Sequence, residues 1–163
     1  MMSAHSSLAA MYFILTVAFA MILRVSWFIP SLTVFNPDWI ALVLIYWCIA
    51  LPERFGVFTA FAVGLLTDVL TGHLLGQYAL IYALISHLSI TEYRRLRQFP
   101  LPQQCLFVLF CLLIGQSLLF GMESMQAANR LPMAFWYPVL TGALAWPLVF
   151  WVLRAIRVLA RIS

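Results

Sequence analysis

The sequence predicts an all-α integral membrane protein, a transmembrane bundle of about six helices, and three observations carry that reading. Hydrophobic residues make up 65% of the chain and charged residues 9%, against roughly 25% charged in a soluble domain. Mean hydropathy is +1.02, so a soluble fold of 163 residues has more apolar surface than it can bury. The arginines sit at the ends of apolar segments instead of spreading along them, as membrane topology requires. With no polar stretch long enough for a second unit, residues 1–163 read as a single transmembrane domain.

The six apolar segments lie at about 8–29, 37–51, 55–70, 76–91, 104–122 and 135–156. No arginine or lysine precedes the first, so it lacks the charged region of a cleaved secretory signal and is expected to stay as a helix. The second has a readable start. Asn36 is placed to cap it, Pro37 suits the first helical position, Asp38 sits on the positive end of the dipole, and Trp39 follows at interface depth. Pro52-Glu53-Arg54 ends it, because proline cannot continue a helix and the charges suit a tight turn. Tyr46 and Trp47 are expected to pack between helices.

The third and fourth segments join at Gly72, flanked by Thr71 and His73. The second to fourth are short against the ~20 residues needed to cross ~30 Å of hydrocarbon. The third and fourth therefore fit either two crossings or a re-entrant hairpin. His87, between Ser86 and Ser89, is expected to pack inside the fourth helix. Cys48, Cys105 and Cys111 read as small buried hydrophobes, since no pair has C-x-x-C spacing and no histidine set lies nearby. The last segment follows Phe135-Trp136-Tyr137-Pro138 and ends among Arg154, Arg157 and Arg161.

All nine cations are arginine, and their positions set a topology. With six crossings and both termini cytoplasmic, the inner side receives Arg54, Arg94, Arg95, Arg97, Arg154, Arg157 and Arg161, and the outer side Arg24 and Arg130, as the positive-inside rule requires. A net charge of +4 thus reflects membrane orientation, not nucleic-acid binding. Arg94, Arg95 and Arg97 with Arg154, Arg157 and Arg161 form a face suited to anionic lipid or a cytoplasmic partner. The outer loops are too short to fold alone. Met122, Met125 and Met133, around Glu123 and Arg130, read as an adaptable outer loop fit for gripping another protein.

Function is sought first at Asp68, a lone carboxylate in an apolar run with Gly64 before it and Gly72 and Gly76 after. An ionised Asp in hydrocarbon costs several kcal/mol, so it needs a partner or a wet cavity. It serves as a relay, as a substrate ligand or as a structural anchor at a broken helix, with Thr67, Thr71, His73, Gln77 and Gln116 as candidate partners. Glycines at four-residue spacing also suit close helix packing. No nucleophile elbow, Walker lysine or H-E-x-x-H motif is present, so no enzyme activity, metal or cofactor is expected.

Phe35-Asn36-Pro37-Asp38-Trp39, Tyr46-Trp47, Ala50-Leu51-Pro52, the residues Gly64, Asp68, Gly72 and Gly76, and Trp146-Pro147 in an arginine-ended last helix resemble the MreD family of rod-shape-determining proteins of Gram-negative bacteria. The resemblance spans essentially the whole chain, is most specific between residues 35 and 76, and places the family motif on Pro37, Trp39, Gly64, Asp68, Gly72 and Gly76. It implies a non-catalytic scaffold of the inner-membrane cell elongation (Rod) complex that binds the bitopic protein MreC. Through it the scaffold works with MreB, RodA and a class B penicillin-binding transpeptidase in lateral-wall peptidoglycan synthesis. It also implies an architecture similar to the substrate-binding subunits of energy-coupling-factor transporters. The alternative function is therefore a membrane-embedded binding subunit for a small molecule or lipid-linked precursor, with Asp68, His73 and Gln77 lining a pocket.

Overall fold

A computed structural model of the chain describes residues 2–25, 30–126 and 133–160, and every regular element among them is helical. The order is α1 (Met2–Val25), a 3₁₀ turn (Pro30–Phe35), α2 (Trp39–Ala50), α3 (Val57–Thr71), α4 (Gln77–Thr91), a single turn α5 (Tyr93–Leu96), α6 (Leu101–Gln126), a second 3₁₀ turn (Met133–Trp136) and α7 (Tyr137–Leu159). Among the described residues four stretches are long and apolar enough to cross a membrane, at Ser7–Val25, Thr33–Ala50, Leu101–Met125 and Met133–Leu159. Arg130 and Arg161 lie outside the described residues.

Helix α2 is the central post of the bundle. Every residue from Ile40 to Ala50 is buried, as a helix that is apolar all round must be. Helices α1, α4 and α7 pack around it, α6 fills the side between α4 and α7, and α3 packs chiefly on α4. Trp47 anchors the middle: it is fully buried, its Nε1 donates to Thr16 Oγ1 at 3.0 Å, and its ring meets the edges of Phe13 and Phe55. Tyr46 packs against Phe150 of α7. Cys48 and Cys111 are buried and Cys105 is half-buried, all as free thiols.

Several boundaries differ from the sequence expectation: α1 runs over Met2–Val25 where 8–29 is expected, α6 begins at Leu101 and α7 ends at Leu159, and two further shifts bear on the site. Helix α2 begins two residues late, because Asp38 caps it in place of Asn36: its Oδ1 accepts from Ala41 N at 3.2 Å. Asn36 instead accepts from Trp39 Nε1 at 2.9 Å and donates to the Arg24 carbonyl at 3.2 Å, and Pro37 stays outside the helix. Helix α6 runs on to Gln126, with no glycine or proline between Met122 and Gln126 to stop it, so Glu123 sits on a helix and not in a loop. His87 is exposed on α4, a correction to its expected packing, whereas Ser86 and Ser89 are buried.

Consecutive long helices run in opposite directions, so the bundle has two distinct ends. Arg24, His73 and Glu123 gather at one, and Arg97, Gln104 and Arg154 at the other. The α3–α4 hairpin reaches the first end, since His73 at its tip contacts Glu123 one turn from the end of α6. Its turn depends on left-handed backbone at Gly72 (φ +71°) and Gly76 (φ +106°). A side chain at Gly72 would meet nothing within 4 Å, so only backbone strain opposes it. Gly72→Ala is expected to lower unfolding stability by about 1 kcal/mol, read as a thermal shift of the purified protein, with no change in helix content.

Candidate functional site, a polar cavity above a buried carboxylate

At the end shared by Arg24 and His73, a cavity of about 680 Å³ opens between the helix ends. Arg24 closes α1, and its Nη1 lies 2.9 Å from Asp38 Oδ1, with both side chains only 17% and 20% exposed. Its guanidinium stacks 4.4 Å over the Tyr78 ring. Tyr82 Oη donates to both carboxylate oxygens of Asp38, at 2.8 and 3.0 Å. One acid thus caps α2, neutralises Arg24 and satisfies a buried phenol on α4, joining three helices. A half-buried charge pair with its remaining valences hydrogen-bonded is far less costly than a lone charge.

A second polar pair lies across the same cavity. His73 Nδ1 is 2.8 Å from Thr71 Oγ1, and Nε2 is 3.4 Å from Glu123 Oε1. The Thr71 hydroxyl proton is already donated to the Thr67 carbonyl at 2.7 Å, so Nδ1 must be the donor to Thr71. Gln116 Nε2 donates to the Phe135 carbonyl at 2.6 Å and ties α6 to the start of α7. The cavity wall therefore brings the Arg24 guanidinium, the Asp38 and Glu123 carboxylates and the Asn36 and Gln116 amides together among apolar and aromatic side chains.

Asp68 is below this chamber and not in its wall. It is fully buried, and its carboxylate accepts from the backbone amides of Gly76 at 2.8 Å, Tyr78 at 2.8 Å and Ala79 at 3.4 Å. These are amides that a helix start leaves unpaired, and the N-cap residue Gly76 has no side chain to serve them. The helix dipole adds partial positive charge at the same point. Gly64, one turn earlier on α3, makes the reach short: a Cβ there would fall 2.3 Å from Ala79 Cα.

The residues that sequence grouped around Asp68 are accordingly divided. Thr71 and His73 line the cavity, whereas Asp68 and the buried Gln77 do not, and none of Thr71, His73, Gln77 or Gln116 is a side-chain partner of the carboxylate. Arg24, Asp38, Tyr78 and Tyr82 stand too far apart in the sequence to read as one group, yet the fold joins them. The only signal pointing to them was an arginine and an aspartate at the facing ends of two consecutive apolar segments.

The arginines at the opposite end also separate. Arg94 bonds Tyr93 Oη at 3.1 Å, and Arg95 pairs with Glu92 at 3.3 Å in solvent. Arg97 instead donates to the Ile49 carbonyl at 2.9 Å and the Ala50 carbonyl at 2.6 Å, capping the end of α2 from a distant loop. Arg154 stacks 5.8 Å from Trp151, and Arg157 lies on the same face of α7.

Among the described residues no group of three histidine, cysteine, aspartate or glutamate side chains could hold a metal ion. No solved structure matches the chain. The chain is similar to the rod shape-determining protein MreD of Haemophilus influenzae, 33% identical over 127 residues that cover 75% of each chain. The family model described as rod shape-determining protein MreD matches residues 4–158, from α1 into the last turn of α7. The polar cavity, the Asp68 cap and both arginine-bearing helix ends all lie within that match, and the chain belongs to the MreD family, a family of shape determinants and not of known enzymes.

Proposed function

We propose that the chain is a non-catalytic scaffold of the cell elongation complex in the inner membrane. It binds the bitopic protein MreC and couples, through it, to MreB, RodA and a class B penicillin-binding transpeptidase at the lateral wall. The observation that carries this reading is the family match over residues 4–158. In this reading the bundle makes six crossings with both termini cytoplasmic, which puts the cavity between Arg24 and Glu123 outside and the arginine-bearing end inside. Asp68 and Gly64 hold the α3–α4 hairpin. The exposed Met125 and Met133 flank the outer rim, where adaptable side chains suit a protein partner.

The 680 Å³ cavity supports a second reading, a binding subunit for a small polar molecule, built like the substrate-binding subunits of energy-coupling-factor transporters. One experiment separates the two: affinity isolation of the tagged chain from native membranes in mild detergent, with mass spectrometry of what accompanies it. Recovery of MreC and the elongation synthases, together with rounding of rod cells on depletion, is the expected result. Recovery of ATPase coupling subunits without MreC would replace the scaffold by the transporter reading.

A further inference from the structure

We infer that the arginine-bearing end of the bundle contains a discrete site for the phosphate headgroup of an anionic membrane lipid, held by Arg97, Arg154 and Arg157 with the Tyr46 hydroxyl. A cavity of about 560 Å³ lies there between the end of α2, the α5–α6 connection and the last turns of α7. Among the described residues three guanidinium groups line it and no carboxylate does, so its charge is uncompensated by these walls. Arg97 is held in place by the two α2 carbonyls, which use two of its five N–H donors and leave the others for a ligand.

Tyr46 supplies an independent observation. It lines the same cavity, is only 4% exposed, and its Oη is buried with no hydrogen-bond partner among the described residues. A buried hydroxyl left unpaired is unfavourable, and a phosphate oxygen that reaches it as the side chains around it shift would satisfy it. Guanidinium forks match phosphate geometry, and several together select for it over a monovalent halide.

The surroundings favour a lipid over a soluble anion. Phe150 and Val158 form apolar cavity wall, and Val158 with the neighbouring Trp151 leaves the adjoining surface of α7 exposed and apolar. A ligand with a charged head and a hydrocarbon tail fills both environments, whereas free phosphate fills only the first. Arg94 and Arg95 lie outside the cavity wall. The inference rests on the membrane-embedded reading of the chain, but it needs neither MreC nor any assembly partner.

The test uses the purified full-length protein in nanodiscs of phosphatidylcholine with a minor fraction of phosphatidylglycerol, followed by native mass spectrometry of the released protein. The expected result is retention of one phosphatidylglycerol per chain. Arg154→Gln with Arg157→Gln should weaken that retention by about thirtyfold, equivalent to ~2 kcal/mol for two charges. Tyr46→Phe should weaken it severalfold while leaving the thermal midpoint in pure phosphatidylcholine unchanged, which a structural hydroxyl would not allow. Arg94→Gln with Arg95→Gln is the control, and retention should be unaffected. Equal loss in that control would reduce the effect to general surface charge and overturn the site. Displacement of the lipid by millimolar inorganic phosphate would make it a soluble-anion site, and retention that depends on added cytoplasmic protein would make it a protein interface. Either result overturns the lipid assignment.

Discussion

Asp68→Ala is expected to lower unfolding stability by about 4 kcal/mol, because it leaves the half-buried Gly76 amide, the buried Tyr78 amide and the more weakly bonded Ala79 amide at the start of α4 without an acceptor. Thermal unfolding of the purified protein in nanodiscs measures the loss, and hydrogen exchange locates it. Protection should fall at Tyr78 and Ala79 and along the first turn of α4, while amides of α6 and α7 stay slow. Asp68→Asn keeps one acceptor oxygen but turns an NH₂ donor toward other donors, so roughly half of the loss is expected. If Asp68→Ala unfolds like the parent and exchanges like it, the carboxylate is not the anchor of this hairpin. A ligand role for it would then return.

Gly64→Ala carries the second large effect, about 3 kcal/mol, at the upper end of what overpacking a buried contact costs. The added methyl would lie 2.3 Å from Ala79 Cα and 2.6 Å from both Ala79 N and the Tyr78 carbonyl oxygen. All three obstacles are backbone, so no side-chain rearrangement relieves them, and Ala79→Gly should give no rescue. The two sites are also coupled. Pushing α4 away from α3 lengthens the bonds from Tyr78 and Ala79 to Asp68, so Gly64→Ala already forfeits part of what Asp68→Ala removes. The double variant should therefore lose less than the sum of the two single losses, a sign that a double-mutant cycle reads directly. Additive losses would mean that the close approach and the carboxylate cap act independently.

Both effects show where reading the chain succeeds and where it stops. Asp68 was legible as a residue that needs a partner, because the cost of a carboxylate in hydrocarbon is independent of fold. The partner was not legible: every residue carries an amide, and only the turn through Gly72 and Gly76 determines which amides face α3. Side-chain candidates such as Thr71 and His73 were near in sequence but point into the cavity above. Arg97 shows the same limit. Its charge predicts a membrane-proximal position, while its role as a cap on α2 depends on a loop 47 residues away returning to Ala50.

Sequence by itself determined the all-helical membrane character, the approximate helix segments, the buried aromatic pair Tyr46 and Trp47, and the family. These follow from local hydropathy, from breakers such as Pro52, and from a motif whose residues stand close together in the chain. Tertiary structure alone decided that Arg24 meets Asp38 and Tyr82, that His73 meets Glu123, and that three arginines and one unpaired phenol surround a cavity at the far end. Those arrangements join residues from different helices, and their energies depend on the distance between charges and on burial. Neither quantity exists until the helices have packed.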